Sequence, residues 1–148
     1  MAKTGCADKN ARIILFRNAD VRTVVIVEPN SDPEQALEND GPRVVGTLTD
    51  KRTCQIMFLY VPFVERGRGH AVTLLGSLAE MLADDGCCRI ELDDMSDRYR
   101  SKHNVYTRVG FHYSGRCGPE MTASRRKVVH MCKKYRAPPF SLTTLVTK

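Results

Sequence analysis

Residues 61–71 read VPFVERGRGHA. Two arginines and two glycines separate an apolar run, TCQIMFLYV at 53–61, from a segment whose apolar residues Ala71, Leu74, Leu75, Leu78 and Leu82 recur at helical spacing. The run before the loop has the length and residue types of a strand. The junction is therefore strand, loop, helix. A helix N-terminus leaves backbone N–H groups unpaired and carries a partial positive charge. Glycines just before it let the backbone come close to a ligand and turn its amides inward. With Arg66 and Arg68 adding charge, the loop has the chemistry of a phosphate site, most naturally one for a diphosphate. On these residues alone a plainer reading stays open, in which Gly67 and Gly69 only make a tight turn.

Working upstream, RIILFR at 12–17 and RTVVIVE at 22–28 are short and β-branched, and the turn formers between them predict a hairpin. Residues 29–42, PNSDPEQALENDGP, form a polar loop with the composition of a mobile segment. RVVGTL at 43–48 is a third strand, turned by TDKR into the fourth at 53–61. Downstream, the helix runs from His70 to Asp85 and stops at Gly86. CRIEL at 88–92 is a buried strand, Ser96 caps a second helix that runs to about Val109, and Gly110 ends it. FHYS and RKVVHMCK read as two closing strands, with an extended arm over 136–148. The order β-β-β-β-α-β-α-β-β is that of a single mixed α/β or α+β domain over residues 1–148, without repeats or an internal linker.

Composition excludes several classes. The 148 residues are 42% hydrophobic and 27% charged, which is ordinary for a globular domain and not for a disordered one. No apolar stretch has the length of a membrane span, and MAKTGCADKNAR at the start has no secretory core, so a cytoplasmic setting is expected. Cys6, Cys54, Cys87, Cys88, Cys117 and Cys132 form no CxxC pair and read as reduced, mostly buried thiols. With His70, His103, His112 and His130 scattered as well, no metal site is expected. The net charge of +6 allows an anionic partner without choosing one. The basic clusters lack aromatic platforms or a DNA-reading module, which argues against specific nucleic-acid binding.

In RGRGHA, Arg66 is followed by Gly69 and then Ala71. That matches the R/Q-x-x-G-x-G/A signature of the GNAT superfamily of N-acetyltransferases, in its place between strand and helix. Val105-Tyr106-Thr107-Arg108-Val109-Gly110-Phe111 resembles the second recurrent signature of that family, an apolar residue and Tyr followed by Gly-Phe. The resemblance covers roughly residues 43–115. It implies a mixed, mostly antiparallel central sheet with a V-shaped splay between strands 4 and 5. It also implies acetyl-CoA as cosubstrate, its pantetheine paired with the strand backbone at Leu59, Tyr60 and Val61. The diphosphate would rest on the loop at Arg66, Gly67, Arg68, Gly69, His70 and Ala71, with Asn104 also near the cofactor. Tyr106 would protonate the departing thiolate, although a core tyrosine at a helix end fits the residues equally well.

Three features depart from the family pattern. The family places two acceptor-site helices between its first and second strands, and here the short NAD turn leaves no room for them, so the N-terminal half is shortened. The strand at 53–61 carries no acid to deprotonate an amine. Asp93 and Asp94, at the splayed end of the next strand, are the candidate bases, with capping and solvation as the competing role. Glu65 lies in the loop, and Glu91, alternating with Ile90 and Leu92, reads as facing the other side. Finally, in YRSKHNVY at 99–106 neither the asparagine nor the alanine that the family often has in the turn before the tyrosine is in place, and LDDMSDRYRSKHNVYTRVGF at 92–111 instead resembles the version found in GNAT-like proteins of large DNA viruses, among them an early protein of iridoviruses. A viral member would work in the host-cell cytoplasm or nucleus.

Two functions follow. One is an N-acetyltransferase moving acetyl directly from acetyl-CoA to an amine on a protein or small molecule, for which the basic surface favours an acidic acceptor. The other is a GNAT-like binding protein without turnover, acting on a host or viral partner through its loop and tail. An edge strand near Val128 to Met131, or the tail, is the expected route to a homodimer.

Overall fold

The computed structural model describes residues 11–38, 40–50, 52–67, 69–135 and 142–147. Cys6, Arg68, residues 136–141 of the expected arm and the side chain of Glu65 lie outside them.

The four N-terminal strands form a meander. Strands β1 (Arg12–Asn18) and β2 (Val21–Val27) pair antiparallel from Arg12 opposite Val27 to Asn18 opposite Val21. The hairpin turn is Ala19-Asp20, which leaves no helix between the first two strands. Strand β3 (Arg43–Asp50) joins β2, and β4 (Thr53–Tyr60) joins β3. Between β2 and β3, residues Pro33–Glu38 make a 3-10 turn whose Ala36 is fully buried, so this polar segment is pinned at its middle.

Helix α1 (His70–Met81) continues as a 3-10 turn over Leu82–Asp85 and ends at Gly86. Its stripe is wider than the sequence periodicity requires. Leu74, Leu75, Leu78 and Leu82 are all but inaccessible, and Val72, Ala79 and Met81 are buried with them. Each leucine contributes about 2 kcal/mol by leaving water. Beneath α1 the sheet presents Val24, Ile26, Val44, Cys54, Ile56, Ile90 and Leu92, which complete the main core. A smaller core on the other face gathers Ile14, Phe16, Val25, Val27 and Ala36 at the β1–β2 end of the sheet.

Two expected elements take another form. The second helix spans only Val105–Arg108, here α2, and residues 94–104 are successive turns. The stretch DDMSDRYRSKH has no apolar stripe to bury, and Arg100 sits at φ 57, outside the right-handed helical region. The segment RKVVHMCK is not a strand but part of helix α3 (Arg125–Tyr135). Its valines suggested β structure. The deciding period is four: Val128 and Cys132 are buried while Arg126, Lys127, His130, Lys133 and Lys134 face solvent. Ser124 Oγ accepts the Lys127 N–H at 3.1 Å and caps the helix start. A Cβ on Gly76 would lie 2.8 Å from Cys132 Cβ, so α1 and α3 touch almost backbone to backbone. No edge strand exists at Val128 to Met131.

The remaining strands are β5 (Arg89–Asp93), β6 (His112–Tyr113), β7 (Glu120–Ser124) and β8 (Leu142–Thr147). The sheet order is β6-β7-β5-β4-β3-β2-β1-β8. Among the described residues only β4–β5 and β1–β8 are parallel. The sheet is thus mixed and mostly antiparallel, as expected. Strands β4 and β5 pair over Thr53–Gln55 alone, the last rung being Gln55 with Glu91. Beyond it β4 follows β3 to Tyr60 while β5 follows β7 to Asp93. The strands part where β4 carries a bulge at Met57, between Ile56 opposite Gly46 and Phe58 opposite Val45. An extra residue of this kind bends a strand. The expected splay is present.

Candidate active site

The splay leaves one side of β4 unengaged. From Ile56 to Tyr60 its ladder partners all lie on β3, and the edge toward β5 has none. Free backbone donors and acceptors on such an edge seek another chain or an extended ligand. Leu59 and Val61 pack into the core on the helix side, which fixes the strand, while Tyr60 is 42% exposed.

The strand then leads into the glycine loop. Gly67 stands at φ 82 and Gly69 at φ 81, both in the left-handed region that a side chain resists. A Cβ on Gly67 would meet nothing within 4 Å, so open space lies over the loop. Gly69 is the residue from which α1 springs, and Thr73 N–H returns to its carbonyl at 3.1 Å. His70 is buried at the first helical position and Ala71 half-buried behind it. Arg66 donates from Nε to the Val61 carbonyl at 3.1 Å and lies over the Phe63 ring, which folds the loop back onto the end of β4.

On the far lip of the splay the geometry is the opposite. Asp94 is buried, and its two oxygens accept four hydrogen bonds. Oδ1 takes Ser96 N–H at 3.0 Å and Ser96 Oγ at 2.6 Å; Oδ2 takes Asn104 Nδ2 at 2.6 Å and the Tyr113 hydroxyl at 2.6 Å. Burial alone would raise the Asp94 pKa, but the bonds from Ser96, Tyr113 and Asn104 outweigh it and hold the carboxyl below its usual value. A carboxylate offers about four lone-pair positions, and all are taken. Asp94, named above as a candidate base, has its acceptor positions engaged within the protein.

Asn104 is equally engaged. Besides Asp94, its Nδ2 reaches the Arg98 carbonyl at 3.1 Å, and its Oδ1 accepts Tyr106 N–H at 2.8 Å and Thr107 N–H at 3.3 Å. It caps α2 and ties that helix to Asp94. Tyr106 begins the helix so fixed, its ring edge-on to Phe111 with centroids 6.1 Å apart. Burial first, and the Asp94 charge second, push the Tyr106 phenol up to about 12. Outside this node Arg100 stacks 4.3 Å from the Tyr113 ring centroid and bonds the Gly115 and Gly118 carbonyls, closing the 94–104 turns onto the β6–β7 loop.

Asp93 is exposed, opposite Glu120 in the register with β7. Arg89, Glu91 and Asp93 alternate with Ile90 and Leu92, which lie in the helix-side core, so the three charged residues share the other face. The Asp94-Met95-Ser96 turn was the local signal for the hub: an Asp two residues before a Ser whose N–H it can accept. Among the described residues no three His, Cys, Asp or Glu side chains are grouped to hold a metal, and no helix is long and apolar enough to cross a membrane.

Comparison with known proteins bears on this arrangement. The acetyltransferase (GNAT) family matches residues 24–111. The chain belongs to that family. Its GNAT fold recurs in solved structures. The spermidine/spermine N-acetyltransferase SpeG from Vibrio cholerae is 16% identical over 76% of this chain and 69% of its own, with a TM-score of 0.54. GCN5 from Tetrahymena is 13% identical over 72% and 69%, with a TM-score of 0.54. Nourseothricin acetyltransferase is 21% identical over 72% and 66%, with a TM-score of 0.55. At these identities the likeness is one of fold. No curated protein sequence matches the chain.

Proposed function

We propose that the protein is an N-acetyltransferase that moves acetyl directly from acetyl-CoA to an amine. One observation carries the reading. The unengaged edge of β4 leads, through a single 3-10 turn at Phe63–Glu65, into two left-handed glycines and the N-terminus of α1. A long amide-bearing chain ending in a diphosphate fits that track. Its pantetheine amides would pair with the backbone of Leu59, Tyr60 and Val61, and its phosphates with the amides from Arg66 to Ala71. Arg68 enters this reading by its place in the sequence alone. Family membership supports an acyl-CoA donor, and acetyl is the acyl group we infer.

In the reaction the amine nitrogen attacks the thioester carbon, the C–N bond forms, and the oxyanion is met by a β4 backbone N–H. The C–S bond then breaks, and the proton shed by the nitrogen passes by way of solvent to the sulfur. Tyr106, on α2, is the phenol that the second family signature supplies. At about 12 it is neutral throughout the physiological range and cannot be a base. Full transfer of its proton to a thiolate of pKa about 8.5 would be uphill by on the order of 4–5 kcal/mol. Tyr106 therefore acts by donating a hydrogen bond to the leaving sulfur. Asp94, with every lone pair engaged, holds α2 in place through Asn104 and takes no proton.

Calorimetric titration with acetyl-CoA, with ATP as a control for plain polyanion attraction, tests this. Selective binding is expected, with at least a 100-fold loss in Gly69→Trp at unchanged circular dichroism. Equal affinity for ATP, or full binding by the variant, overturns the assignment. A second reading, a GNAT-fold binding protein without turnover, is favoured by the Ala19-Asp20 turn that stands in place of acceptor helices. On the 92–111 stretch alone we also propose a viral origin, with a host-cell cytoplasmic or nuclear setting.

A further inference from the structure

Charge is divided unevenly along the chain. Residues 98–148 carry twelve Lys and Arg against one acid, Glu120, a net +11. Residues 1–97 carry eleven Lys and Arg against sixteen acids, a net −5. The overall +6 thus combines two regions of opposite sign, and an asymmetry of this kind marks the basic part as a contact for polyanions.

The excess is densest on α3. Its eleven residues, RRKVVHMCKKY, hold five Lys and Arg and one His, and no acid. One of the five is spent inside the protein: Arg125 donates from Nε to the Cys87 carbonyl at 3.0 Å and from Nη1 to the Ala79 carbonyl at 3.2 Å. Arg126, Lys127, Lys133 and Lys134 are exposed, as is His130 between them. None of these five side chains pairs with a carboxylate among the described residues.

Helical geometry gathers them. They fall within an arc of about 120°, on the side opposite the buried Val128 and Cys132. Arg126 and Lys127 stand at one end of the strip, and Lys133 and Lys134 stand at the other, about 10 Å further along the axis. The strip continues onto α2. The Lys127 side chain lies on Gly110, where an added Cβ would come within 2.7 Å of Lys127 Cγ, and the exposed Arg108 is two residues before that glycine.

The surroundings select the anion. Val129 and Met131 are tucked against the main core, so the face has no apolar side chain to insert into a bilayer or to anchor a protein partner. The ring at its end, Tyr135, stands alone and lies 5.5 Å from Lys134 Nζ, whereas single-strand binding stacks successive bases on several rings. What remains is positive charge in two pairs. The phosphate rims of a duplex major groove are about 12 Å apart, close enough to the spacing of the pairs for long side chains to reach both. Contacts of this kind hold a duplex without reading its bases, in keeping with the lack of a DNA-reading module.

We propose that the outer face of α3, with Arg108, is a docking surface for the phosphodiester backbone of a nucleic-acid duplex, bound without regard to sequence. The proposal is independent of the acetyltransferase reading, because the strip shares no residue with the glycine loop or the splay.

The test is fluorescence anisotropy of the full chain with short labelled DNA and RNA duplexes over a range of NaCl concentrations. Binding is expected, with log K falling against log salt at a slope of about −4, as the release of four to five counterions requires. Comparison of the two duplexes separates a DNA source from an RNA one. Combining Arg126→Gln, Lys133→Gln and Lys134→Gln should weaken binding about tenfold or more and flatten the slope to about −1. All three side chains are exposed, so Tm should hold within a few degrees. The charge-matched control, Arg98→Gln with Lys102→Gln and Arg116→Gln, should weaken binding less than about threefold. Equal losses in the two triple variants, or a wild-type slope shallower than about −2, would overturn the proposal. So would an affinity for polyglutamate or for phosphatidylserine vesicles that equals or exceeds the affinity for the duplexes.

Discussion

The glycine loop and the Asp94 node stand on opposite lips of one cleft, and both are short, polar and charged in sequence. They differ in what their polar atoms do. Around Asp94 the carboxylate oxygens and the Asn104 amide are taken up within 94–113. Along the end of β4 the edge toward β5 has no ladder partner, and open space lies over Gly67 in the loop. A region whose hydrogen bonds are complete serves as a frame. One whose bonds are incomplete is where a ligand is admitted.

The widest break in that contrast comes from the frame. Asp94→Ala strands the Asn104 amide, the Ser96 hydroxyl and the Tyr113 hydroxyl at once, and about 3 kcal/mol of stability should go with them. In a domain of this size that lowers Tm by on the order of 10 °C in a thermal melt. A shift under 2 °C would mean the node is ornamental. Gly67 and Gly69, by contrast, should tolerate substitution in stability far better than in ligand affinity.

A smaller effect is expected from Tyr106, whose backbone belongs to the frame, whose ring packs on the main core and whose phenol we propose beside the leaving sulfur. Tyr106→Phe should lower kcat about 10- to 100-fold with KM for acetyl-CoA unchanged and Tm within a few degrees. An unchanged rate would assign Tyr106 wholly to the core and favour the binding-protein reading.

The smallest effect is on pH. Asp94 has a depressed pKa in the folded chain, so its contribution is complete above the unfolded carboxyl value of about 3.9 and is lost as pH falls through the folded one. Asp94→Asn should be less stable than wild type at neutral pH, and the gap should close below about pH 4 in urea titrations. A gap that persists into acid would show that shape, and not charge, is what the node requires.

Much of the frame was legible in the sequence and less of the site. The β1–β2 hairpin, the glycine loop and α1 each carry a local signal, in β-branched runs, in paired glycines and in a leucine stripe. Helix α3 was misread because Val128 and Val129 favour strands by propensity, whereas the burial of Val128 and of Cys132, which packs on Gly76, selects a helix. The bonding of Asp94 was not legible because its four donors come from residues 96, 104 and 113, and a sequence does not display which of them converge. Glu91 was set aside for facing away from the helices, and it does lie on the face opposite Ile90 and Leu92.

The parallel pairing of β8 with β1 joins Leu142 to Arg12. During synthesis the RIILF edge is made early, and the strand that covers it follows only after nearly the whole domain. At ordinary translation rates that edge waits on the order of ten seconds. A nascent chain carrying an uncovered β-branched strand for so long is a natural client for a ribosome-associated chaperone, and a ready template for pairing with its neighbour on a crowded polysome.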